Sequence, residues 1–148
     1  MKCMKEYINK NIKPAFPIYD KDFKWENFSK GRVPIIFDEF IYKNMSVGQF
    51  EKEYLNHKVI DCQGKEFIIT GRRKSSKWRK LLPWGIKFIL EFKEIGSVYS
   101  LAEMKNNIIE KIIENVPKND IRDSWIEEIS KMQSIPELLS ENTAAVKS

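Results

Sequence analysis

The clearest pattern along the chain is the alternation of apolar and charged residues from 85 to 93. Successive side chains of an extended chain point to opposite sides. One side here carries Ile86, Phe88, Leu90 and Phe92, and the other carries Lys87, Glu91 and Lys93. This arrangement is typical of an antiparallel strand with one buried face. It predicts a strand over residues 85–93.

Two further strands are predicted upstream, over residues 58–62 and 65–71. Both runs are rich in β-branched and aromatic residues, and Gln63-Gly64 separates them. Glycine readily adopts the positive φ that a tight hairpin turn requires. The pattern therefore predicts a β-hairpin that turns at Gly64.

After Gly96 the apolar period lengthens from two to nearly four residues, which indicates a change from strand to helix. Ser100 and Glu103 match a capping box, in which each side chain accepts a backbone N–H of the first turn. The helix should end before Pro117. Its apolar stripe consists of Leu101, Met104, Ile108, Ile112 and Val116.

Two more helices are predicted downstream, one starting at Asp120 or Ser124 and a short one after Ser134. The buried face of the first consists of Ile121, Trp125, Ile129 and Met132. Strands followed by helices predict an α+β fold, a small antiparallel β-sheet with the C-terminal helices packed on one face. One domain should span residues 1–141, and residues 142–148 should form a frayed tail.

The N-terminal part, residues 1–43, mixes aromatic residues, prolines and charges without a sustained period. Its aromatic side chains need a core to cover them, so we expect irregular structure wrapped onto the domain. Residues 35–42 have the composition of a strand. Ser46 and Gln49 match a second capping box, which predicts a short helix to about Leu55.

Composition places the chain among soluble domains. It has 148 residues, 42% of them hydrophobic, which is enough for one core. Its apolar runs are far shorter than the ~20 residues of a membrane-spanning helix, and the first residues do not resemble a secretory signal. The only cysteines are Cys3 and Cys62, so reduced thiols are expected. Together these features predict a cytoplasmic protein.

Residues suited to catalysis are scarce. The single histidine, His57, and Cys62 would lie roughly 16 Å apart on one strand, too far for a nucleophile and its base. A surface histidine and a core or turn cysteine are the favoured roles. Asp120 and Asp123 are explained by a helix N-terminus. With no paired metal ligands and no phosphate-binding loop, the sequence predicts no enzymatic activity, catalytic residue, metal site or cofactor.

Positive charge is concentrated in residues 72–80, where six of nine side chains are basic and none is acidic. The whole chain has a net charge of +5, so the remainder carries −1. We interpret this basic segment as a connection between two strands, bounded by Gly71 and residues 81–84. The candidate partner-binding residues are Arg72, Arg73, Lys74, Lys77, Trp78, Arg79 and Lys80.

Three roles fit the basic segment. It can be a solvated connection with Trp78 turned inward. It can contact an acidic protein surface, with Trp78 or Trp84 as a buried anchor. It can also bind nucleic acid, with its cations on phosphates and Trp78 stacked on a base. Nucleic-acid binding ranks last, because the rest of the chain offers no broad basic face.

From residue 58 to 140 the chain runs as a strand, an Asp-x-x-Gly turn, more strands and then helices. The segments concerned are 59–69, the basic segment, 90–92, 100–103, Trp125 and 135–139. This layout resembles that of small bacterial immunity proteins, the partners of polymorphic and contact-dependent growth inhibition toxins.

The resemblance implies a cytoplasmic, non-enzymatic protein that binds the toxic C-terminal domain of a cognate effector, at its active site or beside it. Immunity proteins against nucleases are often acidic, whereas this chain is net basic. Either the basic segment meets an acidic toxin surface, or acidic residues form the contact. Candidates for the second case are Asp38, Glu39, Glu127 and Glu128. Toxin neutralisation is therefore the first hypothesis, and a small nucleic-acid-binding protein is the alternative.

Overall fold

The structure is a computed structural model that describes residues 13–24, 34–76, 82 and 85–140. In these ranges six strands form one antiparallel sheet, accompanied by four helices, which confirms the α+β class. The strands are β1 (Ile18–Asp20), β2 (Ile35–Ile36), β3 (Phe40–Ile41), β4 (Lys58–Ile60), β5 (Lys65–Lys74) and β6 (Phe88–Val98). The helices are α1 (Val47–Glu53), α2 (Leu101–Asn115), α3 (Asp120–Ser130) and α4 (Ile135–Leu138).

The strands lie side by side in the order β2-β1-β4-β5-β6-β3. The longest pairing joins β5 to β6, from Lys65 opposite Val98 to Lys74 opposite Phe88. Two register shifts interrupt this pairing, and such irregularities bend a strand and increase its twist. The sheet therefore curls, with the β5–β6 pair as its longest part.

The predicted turn between β4 and β5 is confirmed. Gly64 has a φ of 87°, and a Cβ there would overlap the carbonyl oxygen of Tyr99. The buried carboxylate of Asp61 accepts backbone N–H bonds from Gln63 at 2.8 Å and Lys65 at 2.9 Å. It also accepts one from Ala15 at 3.1 Å, so the same side chain ties the N-terminal part to the turn.

The three C-terminal helices cover one face of the sheet, which we call the helical face. Both predicted starts hold: Ser100 and Glu103 form a complete capping box, and Ser134 caps α4. The fully buried side chains are aliphatic with one tyrosine. They are Tyr19, Ile60, Met104, Ile108, Ile112, Ile129, Leu138 and Leu139.

The opposite face, which we call the α1 face, has a second core. Neighbouring strand residues point to opposite faces, so Ile18 and Val59 belong here while Tyr19 and Ile60 belong to the helical face. Phe50 of α1 packs on this face. Ser46 caps the helix by accepting the N–H of Gln49, which is one of the two bonds of the predicted capping box, and the helix ends at Glu53, before the predicted Leu55. The sheet is thus covered on both faces, more fully than the sequence predicts. The buried residues of this core are Ile18, Ile41, Met45, Phe50, Val59, Phe67, Ile69 and Leu90.

The N-terminal part differs from its prediction. Residues 18–20 form β1, which lies inside the sheet between β2 and β4, and is not simply wrapped onto it. The predicted strand over 35–42 is two short strands, β2 and β3, on opposite edges of the sheet. These pairings join residues far apart in sequence, so no local period marks them. Residues 1–12 and the predicted tail at 142–148 lie outside the described residues.

Two helix and strand predictions need correction in detail. The alternation predicts a strand over 85–93, whereas β6 covers Phe88–Val98 because its pairing with β5 continues to Lys65. Ile121, placed on the buried face of α3, is 60% exposed, while Ile129 is fully buried. Among the described residues, no helix combines the length and apolar character needed to cross a bilayer.

Candidate partner-binding surface

The first three residues of the basic segment are strand residues. The connection predicted to begin at Arg72 begins after Lys74, because Arg72, Arg73 and Lys74 pair with β6. Ser75 extends the pairing, donating its backbone N–H to the carbonyl of Lys87 at 3.1 Å and its hydroxyl to that of Ile86. The other candidates, Lys77, Trp78, Arg79 and Lys80, lie outside the described residues.

Arg72 points into the α1 face. Its guanidinium carbon lies 3.9 Å from the ring centroid of Phe88 and 4.9 Å from that of Phe50. Its Nη1 donates a 2.8 Å hydrogen bond to the carbonyl of Met45, just before α1. Arginine stacks well on aromatic faces and keeps its charge when half-buried. This candidate residue therefore joins β5, β6 and α1, and its charge is engaged within the molecule.

Arg73 and Lys74 have a different environment. Both side chains are exposed, on a strand held by its pairing with β6. The neighbouring Arg72 is held by its contacts with Met45, Phe50 and Phe88. These contacts also hold the backbone that carries the two cations. They form the described part of a candidate partner-binding surface, which we call the basic strand end (Arg73 and Lys74).

The second polar feature is the pair formed by Asp20 and His57, which sequence analysis does not find. Nδ1 of His57 lies 2.8 Å from Oδ2 of Asp20, and the other carboxylate oxygen accepts the N–H of Asp22 at 3.1 Å. Asp20 ends β1 and is 3% exposed, and the side chain of His57, which precedes β4, is 12% exposed. The prediction of a surface histidine is therefore wrong.

Burial and pairing shift both groups in the same direction. Burial raises the pKa of the Asp20 carboxyl, because the charged form loses its hydration. The hydrogen bond to Asp20 raises the pKa of His57, because the carboxylate stabilises the imidazolium. The pair therefore holds a proton between β1 and β4 more tightly than the isolated groups would.

A second ionic pair lies nearby, around Lys21. Its ammonium is 2.6 Å from Oε2 of Glu66 and 2.9 Å from the hydroxyl of Tyr99. Burial lowers the pKa of Lys21, but the bonds to Glu66 and Tyr99 outweigh it and the net pKa is raised. A lysine that holds its proton this firmly is a poor nucleophile. The role of this pair is to join the start of β5 to the chain after β1 and β6.

The acidic candidates are spread over the molecule. Asp38 accepts the N–H of Phe40, and Glu39 pairs with Lys13 at 2.7 Å. Glu127 and Glu128 are exposed on α3, where Glu127 pairs with Lys131. The structure does not bring the two acidic pairs together. Asp38 and Glu39 precede β3, whereas Glu127 and Glu128 lie on α3, on the helical face.

A cavity of about 160 Å³ lies between the C-terminal end of α1 and strands β1 and β2, on the α1 face. Asp20 forms part of its wall, together with Glu53 and Tyr54 at the end of α1. Cys62 is elsewhere, with its thiol 3.8 Å from the carbonyl oxygen of Phe16, so it does not pair with His57. In the described part of the chain, no group of three or more His, Cys, Asp or Glu side chains is arranged to hold a metal ion.

Comparison with known proteins adds no relative. No protein-family model, curated protein or solved structure matches the chain.

Sequence reasoning missed Asp20, His57 and the role of Arg72 for one reason. Each depends on a partner distant along the chain, 37 positions away for Asp20 and His57. The local signal at Arg72 is a run of cations, which is more typical of a solvated segment. Arg72 lies an odd number of residues after the buried Phe67 and Ile69, a spacing that predicts the opposite face of a regular strand. The register shift between Ile69 and Gly71 brings Arg72 to their face.

Proposed function

We propose that this protein is a non-enzymatic immunity protein, which neutralises the toxic C-terminal domain of a bacterial effector by binding it in the cytoplasm. The basic strand end is the observation that carries the proposal. Arg73 and Lys74 are exposed on a braced strand pair, an arrangement suited to a defined contact with an acidic protein surface. The layout of strands and helices that resembles immunity proteins supports the same role.

The engagement of Arg72 favours a protein partner over nucleic acid. Affinity for a polyanion grows with the number of cations free to neutralise phosphates. Arg72 is held by Met45, Phe50 and Phe88, so it is not one of them. A compact contact requires only a few well-placed cations, whereas the nucleic-acid alternative requires many.

The direct test is binding of the toxin domain. The probe is the C-terminal domain of the large secreted protein expected in the preceding reading frame, in an inactivated form. We expect co-purification as a one-to-one complex and loss of toxicity when both proteins are co-expressed. An isolated gene, or a preceding protein whose domain fails to bind, would overturn the proposal.

The surface itself is tested by charge reversal. Replacing Arg73 and Lys74 together by glutamate should weaken binding of the toxin domain at least tenfold, because attraction to its acidic surface becomes repulsion. The matched control is Lys118→Glu, an exposed lysine in the connection between α2 and α3. Equal effects of the two variants would exclude the basic strand end as the contact.

The nucleic-acid alternative is examined with the wild-type protein and a labelled oligonucleotide. Binding through phosphates becomes markedly weaker as salt rises. Salt-sensitive binding that the Arg73 and Lys74 double substitution abolishes would favour the alternative. Absence of such binding at low salt would eliminate it.

A further inference from the structure

The cavity beside α1 has walls of two chemical kinds. Phe23 and Tyr54 supply aromatic surface, and Ile36 of β2, whose side chain belongs to the α1 face, supplies aliphatic surface. The carboxylates of Asp20 and Glu53 complete the lining. Its volume of about 160 Å³ is well below the ~300 Å³ at which pockets begin to hold drug-sized ligands. A guest of a few non-hydrogen atoms is therefore the appropriate size.

Asp20 gives the cavity its chemical preference. Each oxygen of a carboxylate has two acceptor positions. One oxygen of Asp20 accepts the N–H of Asp22 and the other lies 2.8 Å from Nδ1 of His57, so the contacts among the described residues leave one acceptor position on each oxygen. The Asp20 side chain is 5% exposed, which keeps these positions out of bulk water. Glu53 is exposed and adds a second negative charge at the rim.

These features select among classes of guest. An anion would be repelled by the negative charge of Glu53 beside the Asp20–His57 pair, and a neutral hydrocarbon would leave the acceptor positions of Asp20 unmatched. An organic cation avoids both problems. Its charge lies near the carboxylates, and its alkyl part contacts the aliphatic wall. Aromatic rings attract cations through their negative faces, and Phe23 and Tyr54 supply such rings.

We propose that this cavity is a binding site for the cationic end of a ligand, an alkylammonium or alkylguanidinium group. The site lies on the α1 face and uses none of the residues of the basic strand end. It does not depend on the identity of a toxin partner.

The test is a titration of the ¹⁵N-labelled full chain followed by amide NMR shifts. The probe is n-butylammonium, and n-butanol is the neutral molecule of similar shape. We expect saturable shifts at residues 20, 23, 53 and 54 with a Kd of about 1 mM, the range for so small a ligand. Butanol should cause no saturable shift there. Equal responses to the two molecules, or no response to either, would overturn the proposal.

Two variants locate the binding charge without disturbing the fold. Glu53→Gln removes the rim carboxylate and should weaken butylammonium binding at least threefold. Glu51→Gln changes an exposed carboxylate of the same helix that does not line the cavity, so its Kd should match the wild type. If both variants bind equally well, the rim charge has no role and the proposed site is wrong.

The same titration distinguishes two sources of the cation. Nα-acetyl-lysine N-methylamide presents a lysine side chain as a protein partner would. Its binding at residues 20, 23, 53 and 54 would support the site and point to a side chain from a protein. Binding of butylammonium alone would support the site and point to a free amine.

Discussion

The two faces of the sheet are built on different principles. The helical face is covered by α2, α3 and α4, whose buried side chains are almost all aliphatic and repeat at helical spacing. The α1 face is covered by one short helix, aromatic rings and the inward side chain of Arg72. It also carries the Asp20–His57 pair and the cavity.

The difference separates stability from recognition. Close-packed aliphatic side chains stabilise a fold but offer a partner little to distinguish. Polar groups that are half-buried and fixed by neighbours can discriminate between partners, at a cost in stability. On this view the helical face stabilises the domain, while the basic strand end and the α1 face provide its candidate binding sites.

The largest effect is expected in the core of the helical face. Ile108→Ala removes a fully buried side chain and should lower the free energy of unfolding by ~2–5 kcal/mol, through lost burial and a cavity. Ile113→Ala, on the same helix at 52% exposure, should change it by less than ~0.5 kcal/mol. Urea unfolding measures both. Similar losses of stability would contradict the burial of Ile108 in the core of the helical face.

A smaller effect is expected on the α1 face. Arg72→Met keeps much of the side-chain length but loses the bond to Met45 and the charge on the rings of Phe50 and Phe88, so we expect a loss of about 1–2 kcal/mol. Arg73→Met, next to it and exposed, should cost less than ~0.5 kcal/mol. Thermal or urea unfolding compares the two. An equal loss for both would contradict the inward role of Arg72.

The Asp20–His57 pair predicts that stability falls as pH rises. The folded-state pKa of His57 is raised above 6.5, so its stabilisation is fully present below that pH and is lost as pH rises through the raised value. Asp20, raised above 3.8, has the same sign in a more acidic range. Urea midpoints at about pH 6 and about pH 9 measure the effect of the histidine. The His57→Gln variant should show a flatter dependence, and an unchanged slope would exclude the pair as its origin.

The smallest effect concerns α1 itself. Gly48→Ala adds a Cβ that meets nothing within 4 Å, so it should stabilise the protein by ~0.5–1 kcal/mol through helix propensity. Gly64→Ala is the contrasting change, since its φ of 87° and the nearby carbonyl of Tyr99 make any side chain unfavourable. A stabilising Gly64→Ala, or a destabilising Gly48→Ala, seen by thermal unfolding would contradict these backbone conformations.

The two faces also differ in how much the sequence predicts. Helix α2 is local: Ser100, Glu103 and the stripe from Met104 to Ile112 lie within one segment, and all are confirmed. The turn at Gly64 is equally local. The start of α1 could be predicted from Ser46. The packing of Phe50 on the sheet could not be predicted, because its neighbours there are distant along the chain.

What the sequence does not predict depends on distant pairing. Strand β1 is three residues long, and only its registers with β2 and β4 make it a strand. The carboxylate of Asp20 acquires its environment from His57, Glu53 and Tyr54, which belong to other elements. The resemblance to immunity proteins concerns layout, so it specifies the class of fold and leaves these contacts open.

The line of contacts through Arg72 has a thermodynamic consequence. Arg72 lies against Phe50, Phe50 stacks on Tyr54 with ring centroids 5.8 Å apart, and Tyr54 lines the cavity. Helix α1 thus contacts Arg72, the neighbour of the basic strand end, through Phe50, and lines the cavity through Glu53. If a cation in the cavity changes the affinity of the strand end for its partner, the partner must change the affinity for the cation by the same factor. Cation binding measured with and without the partner, and partner binding measured with and without the cation, would then give the same coupling free energy.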